Sequence, residues 1–241
     1  MKNWLYRLIA VSISMLMAML MIGCGSGGQT SNNPSDNSTP TKIFVNLSQI
    51  KSYDEGTAAP GTTFRYNMTG TVCWHSSCDN LVGTDSIIVS QPITTDNITY
   101  NITRDDTSIT NTVSNVTTSG TATNYILQTG NMYKVVYDDG DIGTVTSQNL
   151  LPTNPAVGDI GNYITLSYSD GSTETGTWQI EQTYNGDGLI KFTFIRIDKF
   201  SRVMWRQEIG HVIKSDGYVY DITIKTTYDD GTIVELQGNR I

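Results

Sequence analysis

The chain is expected to be all-β, an antiparallel meander of two tandem repeats with about six strands each. Three observations predict this. Apolar and polar residues alternate with period two in runs rich in Thr, Tyr, Val and Ile, which is the mark of half-buried strands. Asp-Gly and Asn-Gly pairs, which tolerate positive φ and close tight hairpins, punctuate those runs. Short sequence anchors also recur in the same order in the two halves. No amphipathic helix is evident after residue 42.

The strand signals come in order along the chain. Ile98, Tyr100 and Ile102 share one face of a strand, as do Tyr133, Val135 and Tyr137, then Ile164, Leu166 and Tyr168, then Tyr218, Tyr220, Ile222 and Ile224. Phe192, Phe194, Ile195 and Ile197 place apolar residues on both faces, which fits a strand covered on both sides or an apolar lumen. The turn pairs are Asp139-Gly140, Asp170-Gly171, Asn185-Gly186, Asp187-Gly188, Asp216-Gly217 and Asp230-Gly231.

The repeat anchors are Pro60–Tyr66 against Val157–Tyr163, Gly83–Ile87 against Gly176–Ile180, and Tyr137–Gly140 against Tyr228–Gly231, at offsets of 97, 93 and 91. The joint is Leu150–Pro155, where two prolines interrupt pairing. The expected organisation is residues 1–23 as a signal peptide, 24–42 as a polar tether, 43–150 as the first repeat and 151–241 as the second. The repeats make two small sheets or barrels, or one larger structure. The first offset falls by four around Cys73–Cys78, where the second half has only the plain turn Ser169–Ser172.

The first residues carry a targeting signal. Lys2 and Arg7 precede the apolar run Leu8–Ile22, which is 15 residues long. That is shorter than the ~20 apolar residues a membrane-spanning helix needs, and a basic start before a short apolar run reads as a secretory signal peptide. Met21-Ile22-Gly23-Cys24 resembles the lipobox of bacterial lipoprotein precursors, with Met21 where Leu is usual. The resemblance covers the first 24 residues. It implies cleavage before Cys24, thioether lipidation of its sulfur, and acylation of the new amino terminus by a chain such as palmitate. More than one acyl chain holds a protein stably on a bilayer. With Gly25 after the cysteine, the resemblance implies the outer membrane where the organism has two. Residues 25–42 are mostly Gly, Ser, Asn, Thr and Pro, with Gln29, Asp36 and Lys42 and no apolar residue, a composition expected to act as a flexible tether.

Charge narrows the partners. The net charge is −8, and loss of Lys2 and Arg7 with residues 1–23 takes it to −10. Such a surface repels phosphate backbones, so nucleic acid is not an expected partner. The expected partners are the membrane, through the lipid on Cys24, and an envelope protein or small ligand that the sequence does not identify.

The segment Val72-Cys-Trp-His-Ser-Ser-Cys78 is the candidate site. A c-type haem site needs Cys-X-X-Cys-His, but here His75 lies between the cysteines. A redox pair needs closer spacing. Zinc needs about four ligands, and the only other histidine is His211. In an oxidising compartment, with Cys24 consumed by lipid, Cys73 and Cys78 form an even pair at the base of a four-residue loop. A disulfide is expected. Trp74 and His75 then form a contact loop, or Trp74 packs across its hairpin.

Other features argue for no site. Asp138-Asp139-Gly140-Asp141 and Asn185–Gly188 lack the spacing of a calcium loop and read as turns. Lys191, Arg196, Lys199, Arg202, Arg206 and Lys214 form a basic strip that reads as a sheet face balancing nearby acids, the alternative being a surface for an anionic ligand or lipid headgroups. No motif for a nucleophile, metal or phosphate is present. No metal and no cofactor are expected. The function expected is non-enzymatic, a binding or structural role through the β module. The alternatives are a carrier of an apolar molecule or acyl chain in a β lumen, and an envelope hydrolase built on paired carboxylates.

Overall fold

Alternation along the strands closes the chain on itself. The computed structural model describes residues 58–149, 151–152, 154–182, 187–213 and 219–241. The signal peptide, Cys24, the tether, residues 43–57, and the turn residues Asn185-Gly186 and Asp216-Gly217 lie outside the described residues. So do Lys214 and the side chains of Tyr218 and Tyr220. Twelve strands follow: β1 Thr63–Trp74, β2 Ser77–Thr95, β3 Ile98–Asn111, β4 Val116–Leu127, β5 Met132–Tyr137, β6 Ile142–Gln148, β7 Ile160–Tyr168, β8 Thr173–Gln182, β9 Gly188–Ile197, β10 Val203–Ile213, β11 Val219–Tyr228 and β12 Ile233–Arg240. Each pairs antiparallel with its sequence neighbours, and β1 pairs with β12, so the sheet is a single closed barrel. Of the architectures expected, one larger structure is the one formed.

Inward side chains fill the interior. Tyr66, Met68, Leu81, Ile87, Leu166, Trp178, Ile180, Phe192, Phe194, Trp205, Ile209 and Leu236 are all buried in one continuous cluster. Among the described side chains, outward positions of β8, β11 and β12 are Thr, Gln, Glu, Asp, Asn and Lys, with half-buried Ile233 as the exception. This is apolar-in and polar-out, the reverse of a lipid-facing barrel. Several inner glycines sit under large neighbours on the next strand. A side chain at Gly143 would strike the Tyr168 ring, at Gly161 the Trp178 indole, at Gly176 the Phe194 ring, and at Gly238 Met68 and Ile222.

Some alternations resolve differently from the sequence reading. Ile164, Leu166 and Tyr168 point inward, as do Val135 and Tyr137. Tyr133 is exposed, because the register shifts between Tyr125 and Ile126. On β3 the inward residues are Thr103, Asp105, Thr107, Ile109 and Asn111, and the Ile98–Tyr100–Ile102 set faces outward. Phe192 and Phe194 point inward, and Ile195 and Ile197 are half-buried on the outer side.

The two ends of the barrel differ. The chain enters at Ala58–Thr62, where Gly61 donates to the Val89 carbonyl and Val89 N–H to the Thr62 carbonyl. The C-terminal Ile241 bonds Arg65 at the same end. The far end carries the turns after β1, β3, β5, β7, β9 and β11.

Packing of this kind tolerates no added volume. Gly176→Ala drives a methyl into the Phe194 ring and should cost about 1–3 kcal/mol in urea unfolding. Adding Phe194→Leu should recover part of that loss, and a purely additive double variant would contradict the contact.

Candidate functional site

The cysteine hairpin lies at the far end. Cys73 and Cys78 are direct cross-strand partners and form the expected disulfide, with Cα atoms 4.0 Å apart. The turn is tighter than the four-residue loop expected. Trp74 pairs with Ser77, leaving His75 and Ser76 at the tip, and His75 takes a left-handed φ of 57°. Trp74 does not pack across the hairpin. It is 60% exposed, with its ring edge-on to His75 at 4.9 Å. Asn111 Nδ2 donates to Asp79 Oδ2 at 2.8 Å, and the N–H groups of Val113 and Ser114 donate to Asn111 Oδ1. That bond ties the β3–β4 turn, with exposed Val113, to the cysteine hairpin. Oxidation removes both thiolates that zinc would need, and no group of three or more metal-ligating residues occurs among the described residues.

The basic strip splits up. Lys191 pairs with Glu181, Arg202 with Asp198 and Arg206 with Glu208 on the outside. Lys199 lies 5.2 Å from the Phe200 ring. Arg196 points inward instead. Its guanidinium lies 3.6 Å from the centre of the Tyr168 ring, pairs with Asp141 at 2.7 Å, and donates to Ser172 Oγ. The Asp138–Asp141 run is a turn, with Tyr137 N–H donating to the Asp141 carbonyl.

Beneath those turns lies a buried network that the sequence reading missed. Tyr168 Oη donates to Glu174 Oε2 at 2.8 Å, and Tyr137 bonds Tyr168. Glu174 is 0% exposed. Burial pushes its carboxyl up to about 8, against the lowering effects of Tyr168 and Arg196. A second buried pair is Asp85 and Asp105. Thr107 Oγ1 donates to Asp85 Oδ1 at 2.6 Å, and Asp105 shares a hydrogen bond with Asp85. Desolvation pushes Asp85 up to about 6. Two carboxyls in contact oppose each other's ionisation. Both are enclosed inside the barrel rather than facing a cleft. His211 is buried beside Phe192, and burial pushes it down to about 3, so it is neutral. The only sequence signal for these groups was Asp, Glu and His inside strand alternation.

Two shallow grooves lie on the outer wall. One, of about 440 Å³, is flanked by Lys191, Glu208, Thr223, Lys225, Glu235 and Gln237. The other, of about 470 Å³, is flanked by Arg65, Thr84, Ser86, Arg104, Asp106 and Thr121. Their charges are largely paired, Lys225 with Glu235 at 2.6 Å and Arg104 with Asp106 at 2.7 Å.

Comparison with known protein families, with characterised proteins and with solved structures finds no match to this chain.

The disulfide closes a short loop, so replacing both cysteines by serine should cost about 2 kcal/mol in urea unfolding and leave the barrel intact. The buried carboxyls set a pH dependence. Glu174 and Asp85 lie above their unfolded values of 4.5 and 3.8, so the folded protein keeps protons that the unfolded chain releases. Glu174 therefore stabilises the fold as pH falls from 8 towards 4.5, and Asp85 from 6 towards 3.8. His211 acts oppositely, because between pH 6.5 and 3 only the unfolded chain takes up its proton. From pH 8 to 6.5 Glu174 acts alone among the three, and unfolding free energy should rise by about 2 kcal/mol. Glu174→Gln should flatten that window.

Proposed function

We propose that the protein is a lipid-anchored envelope lipoprotein, non-enzymatic, that binds a partner through the far rim of its barrel. One observation carries this reading. The most exposed aromatic of the cysteine hairpin, Trp74, is held out at the end opposite to where the chain enters. A disulfide at its base removes local freedom, which reduces the ordering cost of binding. The polar outer wall supports a barrel surrounded by water, so attachment falls to Cys24. The packed interior and the enclosed Asp85–Asp105 pair favour surface binding over a lumenal ligand or carboxylate hydrolysis.

We also infer that the barrel arose by tandem duplication. Six strands precede residue 149 and six follow residue 159. Gly61 and Gly158, with φ of 96° and 92°, donate to Val89 and Ile180, and the Thr62–Ala59 and Asp159–Ala156 bonds match. The turns after Tyr137 and Tyr228 also carry the same two bonds. These hydrogen bonds set the offset at 91 for β2 against β8. The cysteine hairpin is therefore six residues longer than its counterpart rather than four.

Two measurements test the function. Radiolabelled palmitate should label the protein and not its Cys24→Ser variant; labelling of the variant would refute the anchor. A photo-crosslinking amino acid at position 74 should give a discrete adduct in cells, and one at the outward Thr177 should not. Equal adduct formation at both positions would remove the rim from the reading.

A further inference from the structure

One region of the outer wall gathers aliphatic side chains and tyrosine rings side by side. At the entry end of β2–β5, Ile93 pairs directly with Tyr100, and Ile98 and Ile102 share Tyr100's face of β3. Ile102 is opposite Tyr125. The Tyr133 ring stacks on Tyr100 at 5.2 Å, Tyr125 meets Tyr100 edge-on at 5.9 Å, and Lys134 Nζ lies 4.4 Å from the Tyr125 ring. Ile93, Ile98 and Tyr133 are each about two-fifths exposed, with Tyr100 and Ile102 buried beneath them. The hairpin carrying Ile93 and Ile98 overhangs the barrel, since β1 pairs β2 only as far as Ile88.

We propose that this patch seats in the headgroup layer of the membrane that holds the anchor, its ligand being a zwitterionic phospholipid surface. The inference rests on the anchor reading of Cys24. Position is the first argument. The chain enters alongside Val89, four residues from Ile93, and residues 25–57 are all that joins Cys24 to the described barrel. The patch is therefore at the membrane-proximal end. Chemistry is the second. Tyrosine has an apolar ring and a wet hydroxyl, lysine extends its charge from an apolar stem, and Ile98 lies directly behind the Asp96-Asn97 tip. This is the composition of the bilayer interface. Charge is the third. Asp96 at the hairpin tip and the net −10 of the chain without residues 1–23 disfavour anionic lipid. A patch this small binds weakly alone, but a lipid anchor makes its contact intramolecular and raises its occupancy.

The test uses the full lipidated protein in vesicles of phosphatidylcholine and phosphatidylethanolamine with brominated acyl chains. An environment-sensitive fluorophore is placed on Ile98→Cys or, at the far rim, on Val113→Cys. Emission at 98 should be quenched at least twofold and emission at 113 unchanged. Palmitate labelling of the same preparation reads the anchor separately. An acylated, vesicle-bound protein with no quenching at 98, or with equal quenching at both positions, overturns the seating and leaves the anchor standing. An unacylated protein overturns the anchor, and quenching at 98 still decides the seating. In a Cys24→Ser background without vesicles, a fluorophore at 98 already shielded to the same degree assigns the patch to a protein cover and also overturns the proposal.

Discussion

Everything in this barrel follows from the need to fill a wide interior. Closing twelve strands removes both sheet edges, but it encloses more space than an eight-stranded barrel, whose side chains meet at the axis. The space is taken by rings: Tyr66, Tyr163, Tyr168, Trp178, Phe192, Phe194 and Trp205. Rings of that size crowd their neighbours, and the crowding is relieved by inner glycines one strand away. Gly143 lies under Tyr168, Gly161 under Trp178 and Gly176 under Phe194. The pairing of large against small on adjacent strands pins the register as well as filling the volume. A slip of one residue would turn the rings outward, and a slip of two would set ring against ring.

Rings alone do not fill the interior: aliphatic side chains such as Met68, Leu81, Leu166, Ile180 and Leu236 pack among them, and several further inward positions are polar. The protein keeps most of these neutral. Burial pushes the Asp85 and Glu174 carboxyls up and the His211 imidazole down, each towards its neutral form. Arg196 is the buried cation, placed at the rim where Asp141 and the face of Tyr168 compensate it. Burying an unpaired charge costs far more than shifting a proton, so the interior adjusts protonation instead. The Arg196 cluster also joins the β5–β6 turn, the β7–β8 turn and β9 across the far rim. The shortest strands, β5 and β6, lie in that sector, where backbone pairing alone is sparse.

The all-β antiparallel architecture was readable because period two and the turn pairs agree with each other. Tyr137-Asp-Asp-Gly, Tyr168-Ser-Asp-Gly and Tyr228-Asp-Asp-Gly all close hairpins with the same two backbone bonds. The β2–β3 turn was missed. Its Asp96-Asn97 pair takes positive φ at both positions without a glycine. Face assignment failed on β3, because alternation shows which residues share a face and not which face is inside. Isoleucine and tyrosine at 98–102 pointed to the core, yet Asp105 and Thr107 hold it. Tyr133 failed for another reason, a register shift that period counting does not detect. The disulfide was legible from cysteine arithmetic. The network around Glu174 was not, since it joins residues from separate hairpins.

The misassigned face of β3 also bears on how the molecule is oriented. Apolar residues outside a packed barrel need a reason, because the outer wall elsewhere favours hydroxyls and charges. Single ones are scattered over the wall, Val82 and Ile160 among them, but two groups lie at opposite ends. The far rim exposes Trp74, Val113 and Phe200 singly, at the tips of separate turns. The entry end instead gathers Ile93, Ile98, Tyr100, Tyr125 and Tyr133 on adjoining strands, with the rings in mutual contact. Isolated tips suit a partner with its own contours, which meets each at a separate point. A continuous amphipathic patch suits a surface without contours. Under the proposed anchor at Cys24, the continuous patch at the entry end would be the bilayer side and the braced Trp74 hairpin would face outward.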